Sequence, residues 1–287
     1  MLPIKKIYVD SRHRTPDSID TSNFKIELPY SVQLPDNTVF FVTDVSIPHV
    51  FQLIEKDIND RIYYTFTATR RDNPIIIYYI STYITLPPGN YTGSTLASSI
   101  QSLMNANLEH SYFNITFNVS WQDSSFSIIA SCSGTNSRFK FLTDDEITSD
   151  EYRNFFNKEF DPSYVKSAND ILKIHTPTKL FMDGEVFTSD FITTQPIYNI
   201  YITSPNLGSF DTISPFSNNV IKKVPINVPY GYMIVDQNSS PNDYLNCSRQ
   251  TLRTIEFHLK DSRGRYINLH GMNVSFSIVF NKFNMNE

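Results

Sequence analysis

Glycine is scarce in this sequence, eight residues in 287, while proline is twice as common. Neither GxGxxG nor GxxxxGKS occurs, so a glycine cradle for phosphate is excluded, and "PPGNYTGS" reads as a turn feeding a helix. Turns instead use Asn and Asp, which tolerate left-handed backbone and bond locally. Cysteine is nearly missing too. Cys132 and Cys247 have no CxxC spacing, which fits a reducing compartment and idle thiols better than a disulfide scaffold, with a single bridge left open. No run approaches the roughly 18 apolar residues of a membrane helix. Charge follows "MLPI" at once where a signal peptide would carry its apolar core. A soluble chain, without a membrane span and not exported by that route, is the expectation. Positive charge is in deficit: the formal net charge is −5, so non-specific nucleic-acid binding lacks its main driving force and no direct contact with nucleic acid is expected.

Aromatic residues are abundant, 14% of the chain with 22 Phe and 17 Tyr but one Trp. With many Ile, Val and Thr they suit a pleated, half-buried surface. "NVSFSIVF" sets Val274, Phe276, Ile278 and Phe280 on one parity and Asn273, Ser275 and Ser277 on the other, the period of a strand with one buried face. "TIEFHLKDSRGRYINL" alternates, turns at "DSRG" with Gly264 at positive φ, and resumes, so an antiparallel hairpin is expected. "FKIEL", "FNITFNVSW" and "FSIIA" alternate in the same way, the last two joined by a "QDSS" turn. "TVFFVTDVSIP" and "PIIIYYISTYITL" are more continuously apolar and are expected to be central strands. One segment breaks the rule: Leu96, Ile100, Leu103, Met104 and Leu108 recur at spacings of three and four, predicting an amphipathic helix over 94–108 capped by Ser94 or Thr92. From Thr143 the periodicity weakens and acidic residues cluster, with a short helix expected around Ile147 to Asn157. The expected organisation is 1–142 as the first part of a β-rich domain including helix 94–108, 143–196 as an insertion or elaborated loops, and 197–287 as the second part.

"KKIYVDSRHRTP" places Asp10, Ser11, His13 and two arginines within five positions. Catalytic triads are assembled from separate loops, so adjacency argues for a polar turn at a strand end, with Asp10 or Ser11 bonding local backbone. The six histidines show no HxH or HExxH spacing. Glu256 and His258 share a strand face, where such a pair makes a surface or interface contact more often than an acid and base. Arg70, Arg71, Asp72 and Asn73 form a charged loop, and Lys222 and Lys223 are expected to be solvated. No catalytic, metal or cofactor site is therefore expected. Uncharged polar and aromatic surface is what protein interfaces enrich, and assembly or binding follows.

The order of "IYVDSRHR", "SNFKIELP", "VFFVTDVSIPHVFQLI", "ITLPPGNYTGSTLASSIQSLMN" and "RTIEFHLKDSRGRYINLHGMNVSFSIVF" resembles the penton, or minor capsid, proteins of virophages and polinton-like viruses. The resemblance covers both outer thirds of the chain, and 143–195 has no matching pattern. It implies a jelly-roll fold, which together with the periodicities makes the expected architecture an all-β, antiparallel jelly-roll sandwich with one amphipathic helix and an irregular insertion. It also implies a structural role without enzymatic activity: a homopentamer at each five-fold vertex of an icosahedral DNA virus, touching a double-jelly-roll major capsid protein. The protein would then reside in the virion, assembled inside the host cell. A ring needs two different complementary patches on each subunit. The resemblance points to Arg12, His13 and Arg14 as a candidate capsomer interface. The alternative is a jelly-roll carbohydrate- or receptor-binding module, since the same architecture serves lectins.

Overall fold

The alternation in "NVSFSIVF" is realised as a strand, Ser275–Lys282, with Phe276, Ile278 and Phe280 turned into a core. It is the last of sixteen strands in the described part of a computed structural model, which covers residues 5–70, 73–107, 115–123, 125–132, 138–153, 156, 165–182, 184–192, 194–195, 197–207, 219–238 and 243–282. In chain order β1 is Lys5–Asp10, β2 Asn23–Gln33 and β3 Thr38–Pro48. Then come β4 (Arg61–Arg70), β5 (Asn73–Thr85), β6 (Ile115–Gln122), β7 (Ser125–Cys132), β8 (Arg138–Phe141), β9 (Phe181–Met182) and β10 (Val186–Thr188). The chain closes with β11 (Asn199–Thr203), β12 (Val220–Pro225), β13 (Met233–Asp236), β14 (Leu245–Asn246), β15 (Thr251–Lys260) and β16. Helices are α1 (Gly93–Ala106), α2 (Asp144–Thr148), α3 (Asp150–Arg153) and α4 (Asn169–Leu172).

Two compact units divide the chain, Met1–Phe51 with Ile197–Glu287, and Gln52–Pro196. The first is a sandwich of two antiparallel sheets, one ordered β1-β16-β3-β13 with β14 also on β3, the other ordered β12-β11-β15-β2. Along the chain every step between these long strands crosses from one sheet to the other, except the hairpin from β11 to β12. That alternation is the connectivity of a jelly roll, and the fold is all-β and antiparallel. Phe24 and Phe257 of one sheet meet at 5.6 Å between ring centroids, and Phe257 meets Phe276 of the other edge-on at 5.0 Å. Rings so placed lock the two sheets together beyond the area they bury.

The second unit holds the sheets β5-β4-β8-β9 and β10-β7-β6, with α1 packed on β6. Thr92 caps α1 in a reciprocal pair with Thr95, and Leu96, Ala97, Ile100 and Met104 form its buried stripe. The helix ends at Ala106, and Leu108 lies outside the described residues. The expected "QDSS" hairpin is present as β6 and β7, paired from Ile115↔Cys132 to Gln122↔Ser125, with Asp123 at φ 50°.

Three features differ from expectation. The boundary at 142/143 is crossed by pairing and by core: β9 pairs β8 and β10 pairs β7, the Ala168 amide bonds Arg61 O at 2.7 Å, and α1 shares one core with Phe139, Phe141, Ile171 and Leu172. By contact, Gln52–Pro196 form one unit, and the sandwich takes up again at Ile197. Second, β5 is an edge strand, not a central one; Ile80 and Ile84 pack inward while Tyr79 and Tyr83 stay exposed. Third, the acidic helix begins at Asp144, three residues early, because Thr143 and Glu146 form a capping box, and Ser149 interrupts it.

Candidate functional site

The turn after β1 is built on Asp10. Its backbone stays extended, at φ −142° and ψ 124°, while its carboxylate accepts the Arg12 amide at 2.9 Å. The same carboxylate takes the Arg12 guanidinium as a fork, with Nε 3.0 Å from both oxygens and Nη2 2.5 Å from Oδ2. Hydrogen bonding to that cation holds the Asp10 carboxyl below its ordinary pKa, against the opposing pull of partial burial. Ser11 is buried and committed elsewhere: its hydroxyl donates to Asn273 Oδ1 at 3.1 Å and accepts the Val274 amide at 3.0 Å. Arg14 folds back, Nη1 reaching Ser11 O at 3.1 Å, and His13 is exposed. The geometry thus brings Asp10, Arg12 and Arg14 around Ser11, and the serine faces the segment before β16 instead of an imidazole. What this turn offers chemically is a rigid, cationic, solvent-facing knob.

Glu256 and His258 do meet, Nε2 to Oε1 at 2.8 Å, on the outward face of β15. Tyr266 stands edge-on to His258 at 5.5 Å, and burial raises the pKa of its phenol. Register places Glu256 opposite Lys25 and His258 opposite Asn23, so the pair belongs to a charged sheet surface. Among the described residues no three His, Cys, Asp or Glu side chains gather as metal ligands, and no helix is long and apolar enough to cross a membrane. Of the Arg70 to Asn73 loop, Arg71 and Asp72 lie outside the described residues.

Lys222 is not solvated. A register shift between Ile202 and Thr203 leaves Ile221 as the extra residue of β12, so Lys222 shares the inward parity of Ile202. Its ammonium lies 3.4 Å from Asp236 of β13, with side chains only 8% and 7% exposed, and donates to Asn238 O at 2.6 Å. Lys223 points outward and is exposed, as expected. The bulge is what strict alternation could not reveal.

The outward faces of the two sandwich sheets differ in kind. On the β15 sheet lie Lys25, Glu27, Lys223, Arg253, Glu256, His258 and Lys260, knitted by pairs such as Arg253–Glu27 at 2.7 Å. The outward face of the β16 sheet carries Tyr8, Phe41, Met233, Val235, Tyr244 and Val279, with Phe41 and Tyr244 rings 5.1 Å apart. Among its described ion pairs are Lys6–Asp44 at 3.0 Å and, at the end of β1, Asp10–Arg12. Charge-poor, Tyr- and Met-bearing surface is the composition of interface centres, which marks this sheet as the candidate functional surface. Sequence parity separates two faces of each strand, but only pairing order reveals which outward residues become neighbours.

No protein-family model matches the chain, and no curated protein sequence matches it. One solved structure similar to it is described as the crystal structure of a mavirus penton protein. It is 13% identical, with a TM-score of 0.44, covering 97% of this chain and 100% of that one. Likeness at that level carries no weight for function.

Proposed function

We propose that the chain is the penton of an icosahedral DNA virus, a structural subunit that assembles as a homopentamer, fills the five-fold vertex and abuts a double-jelly-roll major capsid protein. The supporting observation is the jelly-roll connectivity of the sandwich, formed by residues 1–51 and 197–287, which hold all or most of four of the five stretches whose order resembles virophage pentons, while the fifth, 84–105, lies in the second unit. Its rigid aromatic interior and paired surface charges suit a part whose task is to hold shape against neighbours. Arg12, His13 and Arg14 are assigned to contact with surrounding capsomers: the Asp10 fork holds Arg12 in place, so little conformational freedom is lost on docking. The virion vertex is the resulting location.

The test is electron microscopy of the purified chain mixed with the major capsid protein of the same virus. Five-fold densities at the vertices, lost or thinned in an Arg12→Ala/Arg14→Ala variant that still folds, are expected. A monomer or trimer that leaves vertices empty and binds a glycan saturably would favour the lectin-like alternative instead.

A further inference from the structure

Backbone at a sheet edge is a template for another strand unless something blocks it, and the four edges of the sandwich are treated unequally. β2 is covered by its own preceding loop: the Thr15 amide donates to Lys25 O at 2.8 Å and the Lys25 amide donates to Ser18 Oγ at 3.0 Å. β12 ends in Pro225, which has no N–H to give, and sets Lys223 outward. Those two edges belong to the charged sheet. In the other sheet, among the described residues, no strand or loop is bonded along the outer side of β1 or β13. β13 carries no edge lysine or proline, and Met233 and Val235 are each 47% exposed, with Tyr232 before them at 65%. On β1, Tyr8 is 76% exposed. Lys5 and Lys6, which would guard that edge, are drawn back along their own molecule, Lys5 onto the Tyr30 hydroxyl at 2.6 Å and Lys6 onto Asp44.

The directions of these two edges match. β1 is antiparallel to β16, β16 to β3, and β3 to β13, so β13 runs opposite to β1. A second copy set beside the first in the same sense would therefore place its β1 antiparallel to β13. That continues the alternation of the sheet and forms the more stable kind of pairing. We infer that β13 of one copy docks against β1 of the next, a head-to-tail contact in which Tyr232, Met233 and Val235 meet Tyr8 and close the sheet edge between subunits. The two patches are unlike and lie at opposite edges of one sheet, as a ring interface requires. Tyrosine against methionine is a favourable contact, and neither edge brings unpaired like charges together. The occupant is thus a second copy of this chain. The inference rests on the proposed self-assembly and names its surfaces.

The experiment measures the mass in solution of the full chain and of three variants, Tyr8→Glu on β1 and Val235→Lys or Met233→Lys on β13, each checked for an unchanged circular-dichroism spectrum. All three substitutions are at exposed positions, and the second β13 variant covers the failure of the first to fold. Wild type is expected to assemble, each variant alone to lose the assembled species, and an equimolar mixture of Tyr8→Glu with either β13 variant to regain association, because one intact β13 then faces one intact β1 and, at the other contact, the introduced glutamate meets the introduced lysine. Variants that assemble like wild type would overturn the edge assignment while leaving self-assembly standing. So would a Tyr8→Glu chain that still assembles when the β13 variants do not, which would mean two β13 edges paired about a two-fold axis. A monomeric wild type would remove self-assembly itself.

Discussion

Asp10 does two jobs that single substitutions separate. Asp10→Ala removes both the turn cap and the Arg12 fork and is expected to cost about 1 kcal/mol, measured by urea unfolding. Asp10→Asn keeps a capping oxygen and loses the charge. Because folding lowers the Asp10 pKa, its contribution is fully present above the ordinary carboxylate value and is lost as pH falls through the folded one. The wild type should therefore weaken below about pH 4, where the Asn variant weakens less. Burial acts in the opposite sense on Cys247, whose thiol is pushed up to about 12. Stability from keeping that thiol neutral is present below its unfolded value and falls as pH rises toward the folded one. In a Cys132→Ser background, Cys247 should resist a thiol reagent at pH 8 in the native protein and react once urea unfolds it. Breaking the inward pair by Lys222→Ala leaves Asp236 nearly buried without its cation and should cost about 3 kcal/mol, whereas Lys222→Met with Asp236→Leu should recover most of that loss.

Elements were legible in the sequence wherever a single periodicity governed them. Val274, Phe276, Ile278 and Phe280 are buried as their parity requires, and Gly264 sits at φ 81° in the expected turn. α1 was legible from Leu96 to Met104, and its cap at Thr92 was one of two candidates. The inward Lys222 escaped because a bulge broke the phase, and the outward face of the β16 sheet escaped because strand order is not written in any one strand. α1 also acts beyond its apolar stripe. Asn105 and Gln101 bond the backbone of β6 at Phe117 and Val119, so the helix seals that edge with side chains. A Cβ at Gly93 would stand 2.0 Å from Cε2 of Trp121. Gly93→Ala should therefore destabilise by about 2 kcal/mol despite alanine's better helix propensity, since overpacking outweighs it. Trp121 is the single tryptophan, so its fluorescence reports the change directly.

For the whole molecule, strands and turns in the sequence indicate β-sandwich chemistry, but the membership of residues 52–142 depends on which distant strands pair. The sandwich has its own core and the inserted unit has two others, so damage at Gly93 and damage at Lys222 fall in different units. Urea unfolding followed by the fluorescence of Trp121, which lies in the inserted unit, should then respond to Gly93→Ala more strongly than to Lys222→Ala. Self-association is the property on which the capsid role depends. Native mass spectrometry of the full-length chain at neutral pH addresses it most directly. A dominant species of five chains is the predicted result, and a monomer that persists as concentration rises would contradict the account.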